Sequence, residues 1–241
     1  MPVFESGDVT IYYETQGDGP ALLMLAPGGL RLSRIENWNR APWDPIAALA
    51  DRYRIVAMDQ RNTGRSFAPI TAAYGWADYT TDQLALMDHL GIERFGVMGM
   101  CIGGGFGLRL VDAAPDRVSG LVAMQPIGNH ENRDTYRGLF DDWRTAVGAD
   151  HPEASEADWQ GAWSNLFDTD RLLWTIPDES IAHLAAPVLV LLGNDEYHPS
   201  VASREIAARA PRATLIERWK DPADVPAARQ AVDDFLAAHL T

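Results

Sequence analysis

The sequence predicts an α/β fold, a mostly parallel, doubly wound sheet with helices on both faces and one small helical insertion. Three observations carry this. Short apolar, β-branched runs recur between segments whose apolar residues fall at helical spacing. The runs are continuous rather than alternating, as buried strands are when both faces of a sheet are covered. One stretch of about sixty residues, between 124 and 187, breaks the rhythm with helical patterns and no strand.

The elements follow in chain order. Residues 3–6 and 9–14 alternate around Gly7-Asp8 and read as a hairpin. Segments 21–26 (ALLMLA), 53–58 (YRIVAM), 94–100 (RFGVMGM), 118–124 (VSGLVAM) and 187–193 (PVLVLLG) read as buried parallel strands, with 213–219 as a weaker one. Helical spacing marks 42–51, 77–90, 102–113, 199–210 and 224–240; Leu84, Met87 and Leu90 form one apolar face, and Val232, Phe235, Leu236 and Leu240 another. Two further helical patterns, near 133–147 and 155–167, fill the odd stretch. The expected organisation is one domain over 1–241 with a helical lid insertion at 127–182. In such sheets the chemistry collects at the carboxyl ends of the strands.

Composition narrows the classes of function. The chain has 241 residues, 46% hydrophobic and 22% charged, enough for a sizeable core without metal or disulfide help. Lys plus Arg is 20 against 34 Asp plus Glu, a net charge of −14 that repels phosphate backbones and anionic membranes. The expected partner is a small-molecule substrate, with no nucleic acid and no membrane; a homo-oligomer is compatible with this surface. A single cysteine excludes an internal disulfide, the first residues lack the basic start and apolar run of a signal peptide, and no run reaches the ~18 apolar residues of a membrane span. A cytoplasmic location is expected.

The chemistry centres on that cysteine. The strand at 94–100 runs into Cys101, and a helix follows, so Gly99-Met100-Cys101-Ile102-Gly103 is G-x-C-x-G at a strand-to-helix junction. A nucleophile on so sharp a turn needs very small residues two before and two after it. The turn presents the side chain at the top of the sheet, aims the Ile102 amide at the same space, and sets the sulfur at a helix N-terminus that favours negative charge. The plainer alternative is a buried structural cysteine in a glycine-rich turn.

These residues resemble the α/β-hydrolase fold family, and the C-I-G-G elbow is similar to cysteine-elbow branches such as dienelactone hydrolases and polyhydroxyalkanoate synthases. The likeness covers nearly the whole chain. Ala26-Pro27-Gly28-Gly29 resembles the family's H-G-G oxyanion loop, with proline in the place of histidine. It implies an oxyanion hole formed by the amides of Gly29 and Ile102, where losing one donor typically costs ~3 kcal/mol of transition-state stabilisation. The turn from Asp59 to Ser66 resembles D-x-R-G-x-G-x-S and reads as structural. Gly193-Asn194-Asp195 matches the strand-end G-x-D, which makes Asp195 the expected acid.

The fold's chain order is nucleophile, acid, histidine. The loop after the last strand, 219–226, holds no histidine, and His239 lies near the end of the last helix, out of reach. Three readings compete. His198 sits in the acid's own loop and can be recruited from that side. His130 opens the insertion and can lean over Cys101. In the third, no histidine acts, and an unusual group such as Lys220 serves or the protein binds without turning over. His89, His151 and His183 carry no argument of their own.

Within the insertion, Trp159, Trp163 and Phe167 fall four apart and, with Phe140, Trp143 and Trp174, read first as core of the insertion and second as an apolar roof over a substrate. Arg133 and Arg137 are expected to pair locally with nearby aspartates. The expected activity is cysteine-dependent hydrolysis of an ester, lactone or thioester in a small, partly apolar substrate through an acyl-enzyme. The alternatives are acyl transfer at the same site and a catalytically weak binding protein. No metal and no organic cofactor is implied, since neither clustered ligands nor a phosphate-binding glycine motif is present.

Overall fold

The computed structural model describes residues 2–240. Its strands are β1 (Val3–Ser6), β2 (Val9–Gln16), β3 (Ala21–Leu25), β4 (Arg54–Met58), β5 (Phe95–Met100), β6 (Val118–Met124), β7 (Val188–Leu191) and β8 (Ala213–Ile216). They form one eight-stranded sheet in the order β1-β2-β4-β3-β5-β6-β7-β8. The β1–β2 hairpin and the β2–β4 pair are antiparallel, and every other pairing is parallel. The helices are α1 (Gly29–Leu32), α2 (Pro45–Leu49), α3 (Trp76–His89), α4 (Ile102–Ala113), α5 (Arg133–Val147), α6 (Glu156–Phe167), α7 (Ser200–Arg209) and α8 (Val225–His239).

The continuous apolar runs have the cause the sequence suggested. Leu23, Leu25, Val97 and Leu121 pack on one face with Leu86 of α3 and Phe106 and Leu110 of α4. Their neighbours Leu22, Met24, Met98 and Val122 pack on the other with Leu49 of α2 and Val232 and Leu236 of α8. Because side chains alternate across a strand, only a strand buried on both faces can be apolar at every position. No helix of the described residues is long and apolar enough to cross a membrane.

The differences from the sequence reading lie at element ends. Strands β7 and β8 stop at Leu191 and Ile216, short of 193 and 219, and the chain then turns so that the buried Trp219 donates its indole N–H to Leu192 O at 2.9 Å. The helix expected at 42–51 is confined to α2, where the Asp44 side chain caps the amide of Ala47 at 3.1 Å. The glycine loop after β3 coils at once into α1 and then into a short 3₁₀ turn over Ile35–Arg40.

Between β6 and β7, α5 and α6 lie against the remainder through specific ties. Trp76 at the start of α3 donates to Leu166 O at 2.7 Å, and the Asp158 side chain accepts from Ala72 N at 2.8 Å. Phe140, Trp143, Trp159, Trp163, Phe167 and Trp174 stack edge-on or tilted against one another, with centroids 5.4 to 6.4 Å apart, so these aromatics are mainly core. Arg137 pairs with Asp141 at 3.0 Å, and Arg133 with Asp168 and Asp170 at 3.1 and 2.8 Å. Neither arginine reaches the cavity described below.

The Asp59–Ser66 turn is a scaffold. Asp59 is fully buried and accepts from Ile35 N, Arg65 N and Arg65 Nε at 2.9, 3.0 and 3.0 Å, while Ser66 Oγ donates to Asp59 O at 2.8 Å. It fixes the chain after β4 to the segment after β3, and so braces the glycine loop beside the cysteine.

Candidate active site

Cys101 occupies the sharpest point of the elbow, at φ 61° and ψ −122°, between β5 and α4. This left-handed backbone is strained for a residue with a Cβ and typically costs about 1–3 kcal/mol. The turn is held by Cys101 N–H donating to Met124 O at 2.9 Å, and Gly104 N–H to Cys101 O at 3.0 Å. Both flanking glycines are obligatory for packing. A Cβ on Gly99 would run into the backbone of Gly103, and one on Gly103 into the carbonyl oxygen of Leu25. Gly103→Ala is therefore expected to destabilise the protein by about 2–3 kcal/mol, as overpacking against immobile backbone does. A denaturant midpoint equal to that of the parent would contradict this.

Above the elbow lies a cavity of about 450 Å³. Its walls include Gly28, Gly29, Leu30, Cys101, Ile102 and His198, with Leu139 and Phe167 from α5 and α6. Volume and apolar lining fit a small-molecule site.

His198 reaches this cavity by a compact device. The segment 195–198 is closed on itself by Asp195 N–H to His198 O at 3.3 Å and His198 N–H to Asp195 O at 3.1 Å. The Asp195 carboxylate also accepts the amides of Tyr197 and His198 at 3.1 and 3.0 Å. The same oxygen, Oδ1, accepts His198 Nδ1–H at 2.6 Å. Nδ1 is thus the protonated nitrogen of the neutral ring, and Nε2 is its free base. Nε2 is buried and satisfied by no other polar group; its neighbour is the Cys101 thiol. Gly193 allows the turn to fold back, since a Cβ there would strike the backbone of His198.

The charges of the two groups support each other. Burial opposes ionisation of the Cys101 thiol, yet the His198 imidazole, with the amides of Gly28 and Ile102, outweighs it and holds the thiol below its ordinary value. Burial likewise opposes the imidazolium, but Cys101 and then Asp195 push the His198 imidazole above its usual range. Both shifts favour a thiolate–imidazolium pair.

A cysteine on a strand-end elbow and a carboxylate after β7 stand in this eight-stranded order, and residues 21–182 match the family described as alpha/beta hydrolase fold. The chain belongs to that family. It is a hydrolytic enzyme of the alpha/beta hydrolase fold. A putative carbamate hydrolase RutD from Caulobacter sp. (strain K31) is 33% identical over 89% of this chain and 90% of that protein. A fluoroacetate dehalogenase from Burkholderia sp is 36% identical over 50% of this chain and 39% of its own. Among solved structures, the enol-lactonase from Burkholderia xenovorans LB400 superposes with a TM-score of 0.72 over 98% of this chain and all of that one, at 20% identity. That likeness shows the fold.

Within this hydrolase frame the sequence-selected residues divide clearly. Cys101, Asp195 and His198 come together, and Gly29 and Ile102 line the cavity beside them. The Gly28 amide helps to hold the thiol down, and Gly28 stands at φ 129°, a conformation that glycine alone tolerates. Asn37 braces that loop by donating to Pro27 O at 3.0 Å and to Leu32 O at 2.6 Å. His130 is exposed and off the cavity wall. Lys220 lies 3.6 Å from the outer Asp195 oxygen, Oδ2, where it supports the acid. His239 packs on Phe235 against Gly120, away from the cavity.

Three residues that sequence reasoning passed over also belong here. Tyr136 of α5 donates to Tyr197 O at 2.8 Å, and Asn132 donates to Glu196 O at 2.7 Å, so α5 clamps the loop that carries His198. Gln125 follows β6 directly beside the elbow and lines the cavity. Only Asn132, just before the predicted helix at 133–147, stood where a capping signal is looked for.

Proposed function

We propose that this hydrolase uses Cys101 as nucleophile, His198 as general base and acid, and Asp195 as the group that orients His198, on a small, partly apolar ester, lactone or thioester. The observation that carries this reading is the 2.6 Å Asp195–His198 bond, which leaves Nε2 free on the cavity wall toward the thiol. It supports recruitment of the histidine from the acid's own loop, three residues on from Asp195, in place of the empty position after β8.

The Cys101 thiolate attacks the carbonyl carbon, and the amides of Ile102 and the Gly28–Gly29 loop receive the developing oxyanion. Collapse breaks the bond to the leaving oxygen or sulfur, which takes the proton from His198 Nε2. Water then gives a proton to the same nitrogen as it attacks the thioester, releasing the acid and restoring the thiolate–imidazolium pair. The 127–182 segment acts as a lid whose inner side, Tyr136, Leu139 and Phe167, excludes bulk water from the reacting carbonyl. A relative matched over 89% of the chain is named for carbamates, which are also carbonyls with a heteroatom leaving group, so carbamates belong in the first substrate panel.

The pH dependence of alkylation by iodoacetamide tests the reading, because Cys101 is the only thiol. The thiol is lowered and the imidazole raised, so thiolate is present at lower pH than in a free cysteine, and the midpoint is expected below the free value of ~8.5. A midpoint at or above that value, or no burst of acyl adduct at Cys101 with an activated thioester, would exclude the cysteine mechanism.

A further inference from the structure

Nine buried side-chain polar atoms among the described residues lack a hydrogen-bond partner, and only two belong to residues that line the cavity. One is His198 Nε2, which the proposed mechanism uses. The other is Oε1 of Gln125.

Three further facts set Gln125 apart. Its backbone is left-handed at φ 39°, one of only four described residues other than glycine with positive φ, and Cys101 is another. Such strain persists where surrounding structure enforces it, and it collects at functional sites. The enforcing bonds are visible. Gln125 N–H donates to Leu191 O at 2.7 Å, and the residue before it, Met124, accepts the Cys101 amide at 2.9 Å. Gln125 is thus locked one residue beyond the elbow's own anchor, with 7% of its surface exposed.

Two polar side chains of the wall are already committed. The Tyr136 hydroxyl proton is given to Tyr197 O, and His198 Nδ1–H to Asp195. Ile127, Leu30 and Phe167 on the same wall carry no side-chain donor, and the exposed Arg40 guanidinium, which also lines it, makes no hydrogen bond to the Gln125 oxygen. An acceptor buried without a donor costs stability unless something else satisfies it.

We infer that Gln125 is a specificity-determining residue whose side-chain oxygen accepts a hydrogen bond from the substrate, and that the preferred substrates carry an uncharged O–H or N–H donor on the atom attached to the reacting carbonyl. This rests on the cysteine-hydrolase reading above. A site built to hydrogen-bond a substrate group discriminates against the analogue lacking it far more strongly than an apolar wall discriminates by size.

The test compares S-phenyl thioesters of propanoate, 2-hydroxypropanoate and 2-methoxypropanoate, with S-phenyl thiocarbamate as the N–H probe. The readout is kcat/KM together with the mass of the adduct on Cys101. The parent enzyme is expected to favour at least one donor-bearing probe over both donor-free ones by about tenfold or more. In Gln125→Leu that ratio should collapse to within about twofold, as the loss of a single specifying contact requires. Gln125→Met provides a second apolar replacement if the leucine variant does not fold. No preference in the parent, or a uniform loss over all probes that leaves the ratio intact, overturns the inference. Acylation of Cys101 without discrimination sinks the Gln125 role alone, whereas no acylation by any probe sinks the cysteine mechanism with it.

Discussion

His198→Ala is expected to slow acylation of Cys101 at neutral pH about a thousandfold, the range over which a positioned general base typically acts. A second effect separates this from simple damage. In the parent the imidazolium is the strongest influence offsetting burial at the thiol. Without it burial prevails, and the alkylation midpoint should rise above that of a free thiol. Asp195→Asn should move both readouts the same way but less far, since the ring remains while losing the acceptor at 2.6 Å that fixes its tautomer. Thermal stability tells the alternatives apart, because His198 makes no bond that joins elements beyond its own loop. A His198→Ala protein that keeps its alkylation midpoint and its acylation burst would return the base to His130 or Lys220. The structure gives neither a contact with the thiol: His130 is exposed, and Lys220 sits on the outer oxygen of Asp195.

The sheet was legible in the sequence because each strand buried on both faces leaves the same trace, an unbroken apolar run such as ALLML or VSGLVAM. The elbow was legible because sterics admit only glycine at 99 and 103, whatever the remainder of the chain does. Which histidine stands at the cavity beside Cys101 was not decidable. His198 and His130 are both loop histidines near strand ends, and what separates them is the closed turn of 195–198, which depends on bonds between atoms three residues apart and on Gly193 giving way to His198. That the Gly28 amide helps to lower the thiol was not legible either, since both adjacent glycines take a positive φ and the sequence does not mark how their amides turn. Gln125 left no trace at all. A lone glutamine after a strand becomes informative only when its backbone strain and the commitments of its neighbours are seen together. Strand ends at β7 and β8 were overrun because Leu192 and Trp219 are as apolar as the strands before them, although the indole N–H is spent on the Leu192 carbonyl outside the ladder.

Asp82→Ala is expected to cost about 3 kcal/mol or more of folding stability, because it strands a buried guanidinium. Arg61 and Asp82 are each 6% exposed at the side chain, and Arg61 Nε and Nη2 donate to the two carboxylate oxygens at 2.7 and 2.8 Å. Asp78, the other carboxylate within reach, is 3.6 Å away and 39% exposed, too remote and too wet to replace it. Replacing both partners, as Arg61→Met with Asp82→Leu, should recover most of the loss, since the penalty lies in the unpaired charge rather than in the missing pair. Chemical denaturation of the two singles and the double closes this cycle, and a double no better than the sum of the singles would refute it. The site gives the experiment its second use. The guanidinium lies over the Tyr74 and Tyr79 rings at 5.4 and 5.8 Å, Tyr74 packs on Trp143 at 5.7 Å, and Trp143 donates to Asn62 O at 3.4 Å. Trp143 stands on α5, the helix whose Tyr136 clamps the His198 loop. Loss of the pair should therefore loosen the anchorage of α5 and lower kcat/KM modestly. The alkylation midpoint of Cys101 should stay in place, because neither Arg61 nor Asp82 contributes to the charge balance at the thiol. A shifted midpoint in Asp82→Ala would mean that the anchorage of α5 sets the geometry of the thiolate–imidazolium pair as well as the shape of the cavity above it.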